Sequence, residues 1–127
     1  VTKISEYAFS YATSLAKVTL PEGLQSIAGH SFSDCTSLVN ITIPNSVEEV
    51  GEYAFSGAIQ LESVSFGTGI NAIADYAFFG CTSLTEIVVP GNVKSIGGYA
   101  FMDDTELRSV VLESGVESLK IFRYPLQ

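Results

Sequence analysis

Phe9, Phe32, Phe55, Phe78 and Phe101 stand 23 residues apart, without slippage, along the chain. A fixed period of this length is the mark of a repeat architecture, in which each unit is one supersecondary element that cannot bury its own apolar face. The other apolar positions keep the same register. One column is Leu15, Leu38, Leu61, Leu84 and Leu107, and a second is Val18, Ile41, Val64, Ile87 and Val110. A third is Leu20, Ile43, Phe66, Val89 and Leu112, a fourth Leu24, Val47, Ile70, Val93 and Val116. Ile4, Ile27, Val50, Ile73, Ile96 and Leu119 complete the set, and a small residue precedes each Phe (Ala8, Ser31, Ala54, Ala77, Ala100).

Two periodicities share each unit. Ala8, Phe9, Ala12 and Leu15 fall on steps compatible with one helical face, which predicts a short helical turn. Val18 and Leu20 alternate with Lys17 and Thr19, which predicts a short strand. Pro21, Pro44 and Pro90 end that strand in three units, because proline cannot donate to a ladder. Gly23, Ser46, Gly69, Asn92 and Gly115 then supply turn chemistry. The expected architecture is an α/β solenoid: five units (about 1–23, 24–46, 47–69, 70–92 and 93–115) and a degenerate sixth at 116–127. One parallel β-ladder of a strand per unit forms one side and helical turns form the other. All 127 residues form a single domain. In the tail, Ile121, Phe122, Tyr124 and Leu126 are expected to fold over the fifth unit as a partial cap, with Pro125 blocking another helical turn. The N-terminal unit has no preceding cap, which predicts either more repeats upstream in the parent protein or end-to-end self-association through its exposed edge.

The segments IADYAFFGCTSLTEIVVPGNV (73–93) and VGEYAFSGAIQLESVSF (50–66) resemble the BspA-like, or Treponema-type, leucine-rich repeat. The likeness runs from Ile4 to about Leu119. The absence of an asparagine ladder after the strand fits this class better than the longer leucine-rich types. The resemblance implies a leucine-rich-repeat solenoid belonging to a bacterial surface or secreted protein, and so an extracellular or cell-surface location. It implies adhesion or protein binding, with host or extracellular matrix proteins as candidate partners, and no shared catalytic motif or cofactor.

The charge balance is consistent with that. Net charge is −8, with 14 acids against 6 bases, which argues against a nucleic-acid partner because phosphates need a basic footprint. No apolar run approaches the ~18–20 residues that span a bilayer, so direct membrane insertion is not expected. No signal peptide is visible, and a chain starting at Val1 reads as a processed or excised piece.

The chemistry-bearing residues are few. The only cysteines, Cys35 and Cys81, occupy one slot of units two and four, filled elsewhere by Ala12, Ala58 and Asp104. Two units of rise set them roughly 9–10 Å apart. A disulfide needs Cα atoms within ~7 Å, so both are expected as buried free thiols that pack as small hydrophobes. His30, the only histidine, stands where the other units have Tyr7, Tyr53, Tyr76 and Tyr99. It reads as a half-exposed aromatic, without the companions of a metal site or a catalytic triad. Glu48, Glu49 and Glu52, with Asp103, Asp104 and Glu106, read as solvated faces; a weak calcium site is the minor alternative, lacking a recognisable loop. Asn40-Ile41-Thr42 matches a glycosylation sequon within a predicted strand, a weak signal.

The informative surface is the outward side of the predicted ladder. Its first row is Lys17, Asn40, Ser63, Glu86 and Ser109, and its second is Thr19, Thr42, Ser65, Val88 and Val111. Core packing does not dictate these positions, although Thr, Ser and Val are also good strand formers. Their small side chains would leave a smooth face for a partner. The reading is a non-enzymatic protein-binding or adhesion module. The alternative is a structural spacer or stalk in a larger surface protein whose ligand-binding domain lies elsewhere.

Overall fold

In the computed structural model, described for residues 2–115 and the backbone of Ser118–Leu119, the chain winds as a β-solenoid whose successive units stack in parallel register. The ten strands are β1 (Lys3–Ile4), β2 (Ser26–Ile27), β3 (Asn40–Thr42), β4 (Glu49–Val50), β5 (Ser63–Ser65), β6 (Ala72–Ile73), β7 (Glu86–Val89), β8 (Ser95–Ile96), β9 (Ser109–Leu112) and β10 (Ser118–Leu119). The expected cap residues Ile121, Phe122, Tyr124 and Leu126 lie outside the described residues.

The continuous ladder is not at the strand that the sequence favoured. It is a six-stranded parallel sheet of two-residue strands in the order β1-β2-β4-β6-β8-β10. Ile4, Ile27, Val50, Ile73 and Ile96 pair rung to rung on its inner side. A two-residue strand is too short to show an alternation, so the period-2 signal could not reveal it. The longer predicted strands form two separate pairs, β3 with β5 and β7 with β9. Residues 17–20 carry no strand. The break between the pairs coincides with unit three, where Phe66-Gly67 replaces Ile43-Pro44 and Val89-Pro90. Phe66 there turns edge-on to Phe78 at 6.0 Å.

The expected helical turns do not form: the described residues contain no helix. An α-helix needs each N–H to reach the carbonyl four residues back. Here the N–H groups alternate between two other destinations. Ser10 N, Ala12 N and Ser33 N make local bonds to Tyr7 O, Phe9 O and His30 O. Phe9 N, Tyr11 N, Phe32 N and Asp34 N donate instead to the next unit, at Ser31 O, Ser33 O, Ala54 O and Ser56 O (2.7–2.9 Å). The alternation requires the left-handed backbone region at recurring positions. Tyr7, His30, Tyr53 and Tyr76 have φ of 58–62°, and Tyr11 and Asp34 have 63° and 58°. Such φ is uncommon for a residue with a side chain.

The core follows the columns. Phe32, Phe55, Phe78 and Phe101 are fully buried and stack 5.2–5.8 Å apart, with Phe9 on the end of the column. Each buried phenylalanine contributes about 1.5–3 kcal/mol of transfer free energy. Leu38, Leu61, Leu84 and Leu107 are likewise buried. The end positions are less covered: Phe9 is 45% exposed and Leu112 47%.

Candidate functional site

The ten outward positions lie on β3, β5, β7, β9 and the unpaired stretch 17–20 that precedes them. Alternation places Ile41, Ile87 and Val89 inward and leaves their neighbours outside. Lys17, Thr19, Asn40, Thr42, Ser63, Ser65, Glu86, Val88 and Val111 are exposed, and Ser109 is half-buried. Strand register sets Asn40 beside Ser63, Thr42 beside Ser65, Glu86 beside Ser109 and Val88 beside Val111. Backbone pairing thus joins them in two separate strand pairs and not in one ladder, although β5 and β7 remain adjacent. At the N-terminal patch Lys17, Thr19, Asn40 and Thr42, with Glu22 and Pro44, border a recess of about 230 Å³.

On another side of each unit, the rings in the His30 slot form a continuous column. Tyr7–His30, His30–Tyr53, Tyr53–Tyr76 and Tyr76–Tyr99 stack with centroids 4.7, 4.8, 4.9 and 5.4 Å apart. His30 thus takes the place of a tyrosine in the stack, as its slot implied. Partial burial in this column, with Tyr53, Tyr99 and Asp75 nearby, pushes the Tyr76 phenol up. Beside the column runs a trench of about 410 Å³, lined by buried Ser33 and Ser56 together with Tyr11 and Asp34. The columns 7/30/53 and 10/33/56 were visible in the sequence. Their adjacency was not, because it depends on the left-handed residues at Tyr7, His30 and Tyr53.

The reactive groups are built into the packing. Cys35 and Cys81 are buried free thiols, donating to Phe9 O and Phe55 O at 3.2 Å. Burial pushes both thiols up, Cys81 well above its ordinary value, with the Asp104 carboxylate adding to the effect at Cys81. Asp104, expected on a solvated face, is buried, and its Oδ1 accepts the Cys81 N–H at 2.7 Å. Its slot in the cysteine column carried that information. Glu48, Glu49, Glu52 and Glu106 are exposed and Asp103 half-buried. Among the described residues, no group of three or more His, Cys, Asp or Glu side chains could hold a metal ion, and no helix is long and apolar enough to cross a membrane.

Residues 2–123 match six copies of the BspA type leucine rich repeat region. A leucine-rich cell surface protein from Faecalibacterium prausnitzii is 31% identical over 90% of this chain, with a TM-score of 0.83. A leucine-rich repeat protein from Bacteroides ovatus is 31% identical over 89%, with a TM-score of 0.82. The leucine-rich repeat protein of Treponema pallidum is 30% identical over 76%, with a TM-score of 0.55. The chain spans 30%, 30% and 55% of these three structures respectively. No curated protein matches it. Six repeat copies in register, the solenoid geometry and these neighbours together place the chain in the BspA-type leucine-rich repeat family.

Proposed function

We propose that the chain is a non-enzymatic protein-binding or adhesion segment of a bacterial cell-surface or secreted protein. Its contact surface is the outward side of the short-strand patches: Lys17, Thr19, Asn40, Thr42, Ser63, Ser65, Glu86, Val88, Ser109 and Val111. The observation that carries this reading is the exposure of these positions together with their size. Apart from Lys17 and Glu86, hydroxyl, amide and short aliphatic groups cover the apolar layer, so few long side chains would have to be ordered on binding. Val88 and Val111 form an apolar centre beside Glu86, and the Lys17–Thr42 recess gives the other patch relief. The F. prausnitzii neighbour, described as a cell surface protein, supports the location. The test is surface-plasmon or pull-down binding to purified host matrix proteins, with Thr42→Arg and Val88→Arg combined. Loss of at least tenfold in affinity supports the face; unchanged affinity for a partner the parent chain binds refutes it.

The spacer reading keeps one specific support, since the chain corresponds to 30% of two neighbours and leaves most of their length to other segments. A chain that binds no partner alone, while a separate domain of its parent protein does, favours the spacer. Self-association is the second contact we infer. Ile4, Ala8, Phe9, Val18 and Leu20 border an apolar recess of about 440 Å³ at the first unit.

A further inference from the structure

We infer that the trench beside the ring column is a small-molecule site for an elongated, planar aromatic cation. It lies away from the patches assigned to protein contact, and its volume of about 410 Å³ falls in the small-molecule range of roughly 300–1,000 Å³.

The chain itself shows how a flat ring docks there. The rings of the column stack face to face, so their faces cover one another and the column offers edges sideways. Ring edges carry the positive side of the quadrupole and prefer the face of another ring. Phe79 meets that preference: it stands at 90° to both Tyr53 and Tyr76, with centroids 6.3 and 5.7 Å away. Phe79 occupies the slot held by Ser10, Ser33 and Ser56 in the first three units. Beside Ser10 and Ser33 the column rings Tyr7 and His30 line the trench, which ends at Phe79 and Gly80. A flat ligand lying lengthwise from Phe79 towards Ser10 continues the edge-to-face contact across His30 and Tyr7.

The charge of the lining narrows the ligand class further. Ser10 Oγ and Ser33 Oγ bond to each other at 2.9 Å, and Ser33 Oγ donates to His30 O. These two hydroxyls are engaged with each other and with the backbone. Asp34 leans over Gly57, where a Cβ would strike its Oδ1. Among the described residues no lysine or arginine lines the trench, and the chain carries a net charge of −8. A planar ligand that keeps an uncharged ring against the positive column edges and carries its cationic group at one end, beside Asp34, therefore gains attraction where an anionic one is repelled.

The experiment is a fluorescence titration of the monodisperse chain with thioflavin T, beside the anionic aromatic 1-anilinonaphthalene-8-sulfonate. The expected result is saturable binding of one cation per chain and at least tenfold weaker binding of the anion. Asp34→Asn, which tolerates the left-handed backbone, should weaken the cation about tenfold and leave the anion no weaker. Ser56→Phe, which extends the stop supplied by Phe79, should weaken it at least tenfold with the thermal midpoint held. If Ser56→Phe destabilises the fold, Tyr11→Ser replaces it: that side chain is 71% exposed, and its loss removes one wall without touching the core. No saturable signal, equal binding of the two probes, or indifference to Asp34→Asn overturns the assignment.

Discussion

The thiol of Cys81 donates to the carbonyl oxygen of Phe55, 3.2 Å away in the preceding unit. Burial, with the Asp104 carboxylate adding to it, holds the thiol protonated, well above the ordinary value of 9.0. In the unfolded chain the thiol ionises normally, so above pH ~9 the unfolded state carries fewer protons than the native state. Stability should therefore be insensitive to this group below about pH 8 and fall as pH rises, by at most about 1.4 kcal/mol per unit. Denaturant unfolding between pH 7 and 10.5, on the parent and on Cys81→Ala, checks it. The decline should be shallower in the variant, and parallel curves would contradict the assignment.

Ser31 fills a slot that is alanine in the other four units, and its Oγ is buried without a hydrogen-bond partner among the described residues. An unsatisfied buried hydroxyl costs about 1–3 kcal/mol. Ser31→Ala should raise stability by about 1 kcal/mol, since the Phe9 N–H bond uses the backbone carbonyl and survives. A lower unfolding midpoint in urea would count against this.

Phe55 lies between Phe32 at 5.2 Å and Phe78 at 5.3 Å and is fully buried. Phe55→Ala should cost about 3–5 kcal/mol through lost transfer energy and the cavity left behind. Phe9, with one stacked neighbour and 45% exposure, should cost only about 1 kcal/mol on the same change. Equal losses at the two sites would mean that the column does not act as a stack with distinct ends.

The apolar recess around Phe9 gives a concentration-dependent expectation. Sedimentation equilibrium of the parent chain should show a weight-average mass that rises with concentration, and Phe9→Lys should hold it at the 13.5 kDa monomer. A parent that stays monomeric at millimolar concentration would remove the end face as a contact.

Much of the molecule was legible as columns. Burial of Phe32, Leu38, Ile41, Val47 and Val50 is stated by their types and by the copies 23 residues on, because a position buried in every unit must be apolar in every unit. The outward residues Asn40, Thr42, Glu86 and Val88 were legible by the complementary argument, since they alternate with that core. The local backbone was not. Ala8, Phe9, Ala12 and Leu15 satisfy a helical spacing, but Tyr7 and Tyr11 adopt positive φ and send the N–H groups of Phe9 and Tyr11 to the next unit. Side-chain type reports what is buried and leaves open which carbonyl a given N–H will find.

The sequence by itself determined the period, the register and the membership of each stacked column, because those depend only on which residue types recur at 23 and on the need to bury them. Only the tertiary structure decided that the continuous ladder runs through Ile4, Ile27, Val50, Ile73 and Ile96, and that the ring column borders a trench ended by Phe79. Both outcomes depend on a neighbouring unit one strand spacing away, about 4.8 Å, which supplies the hydrogen-bond partners and ring contacts that no unit contains alone.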